Sequence, residues 1–92
     1  MTPKQVLSAV DMFEAEDMRK RLMHATIKAL KELKIDIRAF SVLQLQQLIK
    51  LVAHHAPEEL SVFYKFIETA AGTGMFNNHF EPLARLFYLF VE

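Results

Sequence analysis

Phe40-Ser41-Val42-Leu43-Gln44-Leu45-Gln46-Gln47-Leu48-Ile49-Lys50-Leu51-Val52-Ala53-His54-His55-Ala56-Pro57 reads as a complete helix with both ends marked. Ser41 followed three residues later by Gln44 is a reciprocal capping pair, each side chain suited to a backbone N–H at the helix start. Phe40, just before the cap, is placed to pack on Leu45 as a hydrophobic staple. Leu45, Leu48, Ile49, Val52 and Ala56 recur at helical spacing and define one apolar face. Pro57 ends the run, because its ring and missing N–H oppose continuation, yet with Glu58 and Glu59 it suits the first turn of the next helix.

Moving toward the C-terminus, Leu60, Phe63, Ile67 and Ala71 form the stripe of that next helix, with Gly72 as a left-handed cap and Gly72-Thr73-Gly74 as a hinge. Asn77 or Asn78 can cap a last helix, with Pro82 in its first turn and Leu83, Leu86, Phe87 and Phe90 at i, i+3, i+4, i+7. Toward the N-terminus, Thr2, Pro3 and Gln5 repeat the capping pattern and start a helix bearing Val6, Val10 and Phe13. The apolar set Met18, Leu22, Ala25, Ala29 and Leu33 points about 150° from that first stripe at 100° per residue. A break therefore falls between Asp11 and Asp17, with Asp11 to Glu14 as a second capping box. The helix after the break is expected to reach Lys34 with no glycine to stop it, and Lys34 to Arg38 reads as an irregular link.

The result is an all-α reading: a compact single-domain bundle of four or five helices over residues 1–92. Its expected core is Val10, Leu22, Leu48, Ile49, Val52, Leu60, Phe63, Ile67, Leu86 and Phe90. The composition agrees, with 52% hydrophobic residues, 2 Gly and 3 Pro, too apolar for a disordered chain and too poor in turn formers for a loop-rich scaffold. There is no Cys, which excludes disulfides, thiolate metal sites and cysteine nucleophiles and fits a reducing, cytoplasmic setting. The N-terminus lacks a signal-peptide pattern, and the longest apolar run, Leu86 to Val91, is too short to span a bilayer, so no membrane role is expected. A weak match at a spacing of 38 aligns Leu45 to Val52 with Leu83 to Phe90, and in a chain this apolar coincidence accounts for it.

Two constellations carry the functional expectations. Between positions 19 and 38 seven basic residues meet two acidic ones, and Lys20, Arg21, His24, Lys28 and Lys31 are expected on the face opposite the apolar stripe. Such a face can pair with anionic oxygens, although the formal net charge is zero and the block Asp11, Glu14, Glu16 and Asp17 would repel a phosphate backbone. The aromatic residues concentrate at the other end, with Phe66, Phe76, Phe80, Phe87, Tyr88 and Phe90 as the expected partner-binding set. Phe63 and Phe66 lie about 300° apart around their helix, and the last helix is apolar on nearly every side, more surface than one small core needs. The leading expectation is thus a non-catalytic protein-interaction module, an adaptor, regulator or inhibitor, with a protein partner or a second copy as its target. An accessory nucleic-acid binder using the basic face ranks second.

No catalytic residues are expected, because no acid–base pair, nucleophile elbow or phosphate loop can be assembled from the motifs present. No cofactor is expected. His54 and His55 have i, i+4 partners in Glu58 and Glu59, but Pro57 interrupts that helix and no third ligand follows from spacing, so no metal site is expected either.

Overall fold

The computed structural model describes residues 2–72, with side chains to 69. Four α-helices make up the described chain: α1 (Pro3–Ser8), α2 (Glu16–Lys31), α3 (Val42–His55) and α4 (Leu60–Gly72), linked by short 3-10 turns at Ala9–Met12, Ile37–Ala39 and Pro57–Glu59. The all-α expectation is met, with no strand among the described residues. The expected last helix, with Phe76, Phe80, Phe87, Tyr88, Phe90 and the core candidates Leu86 and Phe90, lies outside the described residues, as does the second half of the spacing match.

Helix α3 is the element against which α1, α2 and α4 all pack. Its start is the capping box read from the sequence: the Gln44 amide donates to Ser41 Oγ at 3.1 Å and the Ser41 amide to Gln44 Oε1 at 2.9 Å. Leu45, Leu48, Ile49, Val52 and Ala56 are each fully enclosed, and Phe40 is buried in the same cluster. From α4, Leu60, Phe63 and Ile67 join it. Burying these side chains supplies about 25 cal/mol per Å² removed from water.

Helix α1 begins on the Thr2–Gln5 capping box, with the Gln5 amide donating to Thr2 Oγ1 at 3.2 Å and the Thr2 amide to Gln5 Oε1 at 2.9 Å. It presents Val6 and, from the following turn, Val10 to the core. Phe13, expected on that stripe, is only half buried.

The break after Asp11 is real, but the expected Asp11–Glu14 capping box is not. Asp11 is consumed in the 3-10 turn, and α2 starts from Ala15, which offers no capping side chain. Arg19 supplies the restraint there, its Nε donating to the Phe13 carbonyl at 2.6 Å.

Two further expectations for α2 are corrected. The inward face is Met23, Thr26, Ile27 and Leu30, while Met18, Ala25 and Leu33 are exposed and Leu22 and Ala29 only partly covered. The helix is turned by about one residue, roughly 100°, because Met23, Ile27 and Leu30 offer more apolar bulk than an alanine-containing stripe. Thr26 tolerates burial since its hydroxyl donates to the Leu22 carbonyl at 2.8 Å.

The helix also ends at Lys31, three residues early. Leu33 takes φ 61°, and the Lys34 amide reaches the Ala29 carbonyl at 2.9 Å while the Leu33 amide reaches Leu30 at 3.2 Å. This is the Schellman pairing, built on a leucine where glycine is usual. The chain then turns Ile35, Ile37 and Phe40 into the core, so the link from Lys34 to Arg38 is irregular but anchored. Asp36 caps its turn, accepting from the Arg38 amide at 2.9 Å and from Arg38 Nε at 3.0 Å. That guanidinium holds the Asp36 carboxyl below its ordinary range.

Candidate functional site

The rotation of α2 decides what its basic residues can reach. With Met23, Ile27 and Leu30 inward, Lys20, His24 and Lys31 lie along one flank, while Arg21 and Lys28 lie further out. The upper part of the flank faces the Pro57–Glu59 turn. Lys20 Nζ is 3.0 Å from Glu58 Oε1, His24 Nε2 is 3.1 Å from the same oxygen, and His24 Nδ1 is 2.7 Å from Glu59 Oε1.

The Glu58 carboxyl is lowered to about 2, first by its own backbone amide at the start of the turn and then by Lys20 and His24. Arg21 pairs with Asp17 one helical turn away at 3.3 Å. Three of the five expected basic-face residues are therefore engaged within the chain, and Lys28 and Lys31 are the two with no ion pair among the described residues.

Lys31 is on the rim of a shallow recess of about 310 Å³ that it forms with Val62, Lys65, Phe66 and Thr69 of α4. Phe66, the one expected partner-binding aromatic within the described residues, packs partly on the core and forms this wall with its remaining surface. Val62 beside it is 37% exposed. An apolar floor with lysines at its edge is thus assembled from two helices that were read separately in the sequence.

A second depression of about 580 Å³ runs between α1 and α3, lined by Leu7 and Leu51 among Lys4, Asp11, Gln44, Gln47, Lys50 and His54. Its rim carries both signs of charge, so it selects no partner charge.

His55 lies at the end of α3, 7% exposed, with its Nδ1 2.5 Å from Glu16 Oε1 in the first turn of α2. This contact lowers the Glu16 carboxyl and ties two helices across 39 residues of sequence. The His54 ring stands edge-on to that of His55, with centroids 4.6 Å apart. One ligating atom from each of Glu16, His54 and His55 lies within 4.8 Å of the other two.

Spacing had offered Glu58 and Glu59 as the carboxylates nearest His54 and His55. Pro57 turns them away toward α2 instead, and Glu16 takes their place. Only the tertiary packing of α2 on α3 brings that carboxylate in.

No family model, curated protein or solved structure matches this chain. Among the described residues, no helix is long and apolar enough to cross a membrane.

Proposed function

We propose that this chain is a non-catalytic protein-interaction module, a regulator or inhibitor acting in the cytoplasm, that docks a partner surface bearing carboxylates around an apolar centre. The observation that carries the reading is the recess between α2 and α4, where exposed Val62 and half-buried Phe66 are bordered by Lys31 and Lys65. Lys31 makes no ion pair among the described residues, unlike Lys20, Arg21 and His24, so its charge is available to an outside acid. A buried aromatic anchor with a charged rim is the usual anatomy of an interface centre. The same lysines argue for a different chain as the occupant, since two copies meeting on this face would oppose like charges across the symmetry axis.

The test compares the tagged full chain with its Val62→Asp variant, each purified from the cells that express it. Wild type should retain a stoichiometric acidic-surfaced partner that the variant loses, while both keep the same helical circular-dichroism spectrum. A wild-type chain that sediments alone as a monomer, or a partner retained equally by Val62→Asp, would overturn the proposal. Binding of labelled DNA or RNA at about 50 mM salt, lost in Lys28→Ala/Lys31→Ala, would replace it with the nucleic-acid reading.

A further inference from the structure

We propose that Glu16, His54 and His55 form a binding site for a divalent transition-metal ion, with Zn²⁺ the best fit. Two imidazoles and one carboxylate are a ligand set that zinc accepts, leaving the fourth position to water. The mixed nitrogen and oxygen donors disfavour Ca²⁺ and Mg²⁺, which take oxygen ligands.

Neighbouring residues on a helix point about 100° apart, so His54 and His55 need not converge. Here their rings meet edge to face, at 4.6 Å and 79°, on the last turn of α3. Glu16 reaches them from the first turn of α2, and one donor atom from each residue lies within 4.8 Å of the others. Tetrahedral zinc, with metal–ligand distances near 2.0–2.2 Å, holds its donors roughly 3.3–3.6 Å apart. The required adjustment is small: the exposed His54 and Glu16 side chains swing, and His55 keeps its place.

The chemistry of entry is a replacement. The 2.5 Å contact between His55 Nδ1 and Glu16 Oε1 is a hydrogen bond between two atoms that can each ligate a cation. A cation placed between them replaces that hydrogen bond, widens the pair to ligand spacing and recruits His54, with His55 bound through Nδ1 and its one ring proton on Nε2. Zinc takes neutral imidazoles and an ionised carboxylate, so lower pH weakens its binding. Among the described residues the charged groups nearest in sequence to the ligands are Glu14 and Asp17 on either side of Glu16, then Arg19 on α2 and Glu58 beyond α3. Arg19 and Glu58 are already held, by the Phe13 carbonyl and by Lys20 and His24. The bound ion would join the start of α2 to the end of α3.

Titration calorimetry of the full chain with ZnCl₂ tests the proposal. One zinc per chain is expected, with a tetrahedral visible spectrum when Co²⁺ replaces it. Because His55 is buried and its replacement could unfold the chain, the deciding variants are the exposed Glu16→Gln and His54→Ala. Each should weaken zinc binding at least about tenfold with the helical spectrum retained. No binding by the wild type, or binding that either variant leaves unchanged, would overturn the site.

Discussion

Replacing Leu33 by glycine should stabilise the protein, although it removes a large apolar side chain. Leu33 sits at φ 61°, where a Cβ crowds the following carbonyl at a cost of about 1–2 kcal/mol for an L-residue. Glycine escapes that cost but adds freedom to the unfolded chain, which opposes folding by roughly 0.5–1 kcal/mol. The side chain gives back little, because Leu33 is 72% exposed and most of its apolar surface is already in water. The difference is a gain of about 0.5–1 kcal/mol, or a rise in Tm of roughly 2–8 °C for a domain of this size.

Thermal and urea denaturation followed by circular dichroism would measure it, with Leu33→Ala as the control that shortens the side chain and keeps the Cβ. Leu33→Ala should sit at or slightly below wild type. If Leu33→Gly were no more stable than Leu33→Ala, the left-handed residue could not be the source of strain at this helix end, and the reasoning would fail.

Other perturbations separate the remaining contributions. Leu48→Ala, at a fully enclosed position on α3, should cost about 2–5 kcal/mol, and a loss under 1 kcal/mol in urea denaturation would contradict the packing described. Ser41→Ala removes the side-chain oxygen that receives the Gln44 amide and should cost about 1 kcal/mol, measurable as a lower urea midpoint with an unchanged slope. The Glu58 carboxyl, lowered from 4.5 to about 2, favours the folded state while ionised. Its contribution is full above about pH 5 and is lost as the pH falls toward 2. Glu58→Gln should flatten that part of the stability–pH curve, and curves of equal slope for variant and wild type would refute the pairing with Lys20 and His24.

What the sequence made legible was whatever is written locally. The Thr2–Gln5 and Ser41–Gln44 capping boxes, the α3 stripe and the Pro57 boundary follow from nearby residues and are observed, whereas the equally local Asp11–Glu14 box is not. The errors on α2 have two physical origins. Its apolar residues form two overlapping stripes, and the choice between them depends on how much bulk α3 can cover, a quantity absent from the helix's own spacing. Its end was misplaced because the usual signal is glycine, and Leu33 takes the left-handed position instead, held by the Lys34–Ala29 and Leu33–Leu30 bonds.

The candidate sites divide in the same way. The basic run was plain in the sequence, but which of its members stay available was not, since Glu58 and Glu59 are 34 or more residues away from His24. Phe66 could be nominated from composition, whereas its neighbour across the recess, Lys31, could be found only by packing α4 against α2. The meeting of Glu16 with His54 and His55 left no local trace.

The Lys20, His24, Glu58 and Glu59 cluster has a consequence for the order in which the molecule assembles. It joins parts of the chain 34 to 38 residues apart through partly exposed charges, contacts too weak in water to offset the entropy of closing so long a loop. Apolar collapse of α2 on α3 must come first, and the cluster latches after the barrier has been crossed. A late latch governs escape rather than arrival. In stopped-flow chevrons, Glu58→Gln near neutral pH should lift the unfolding limb and leave the refolding limb where it was, so the turn after Pro57 sets the lifetime of the folded molecule more than the speed of its formation.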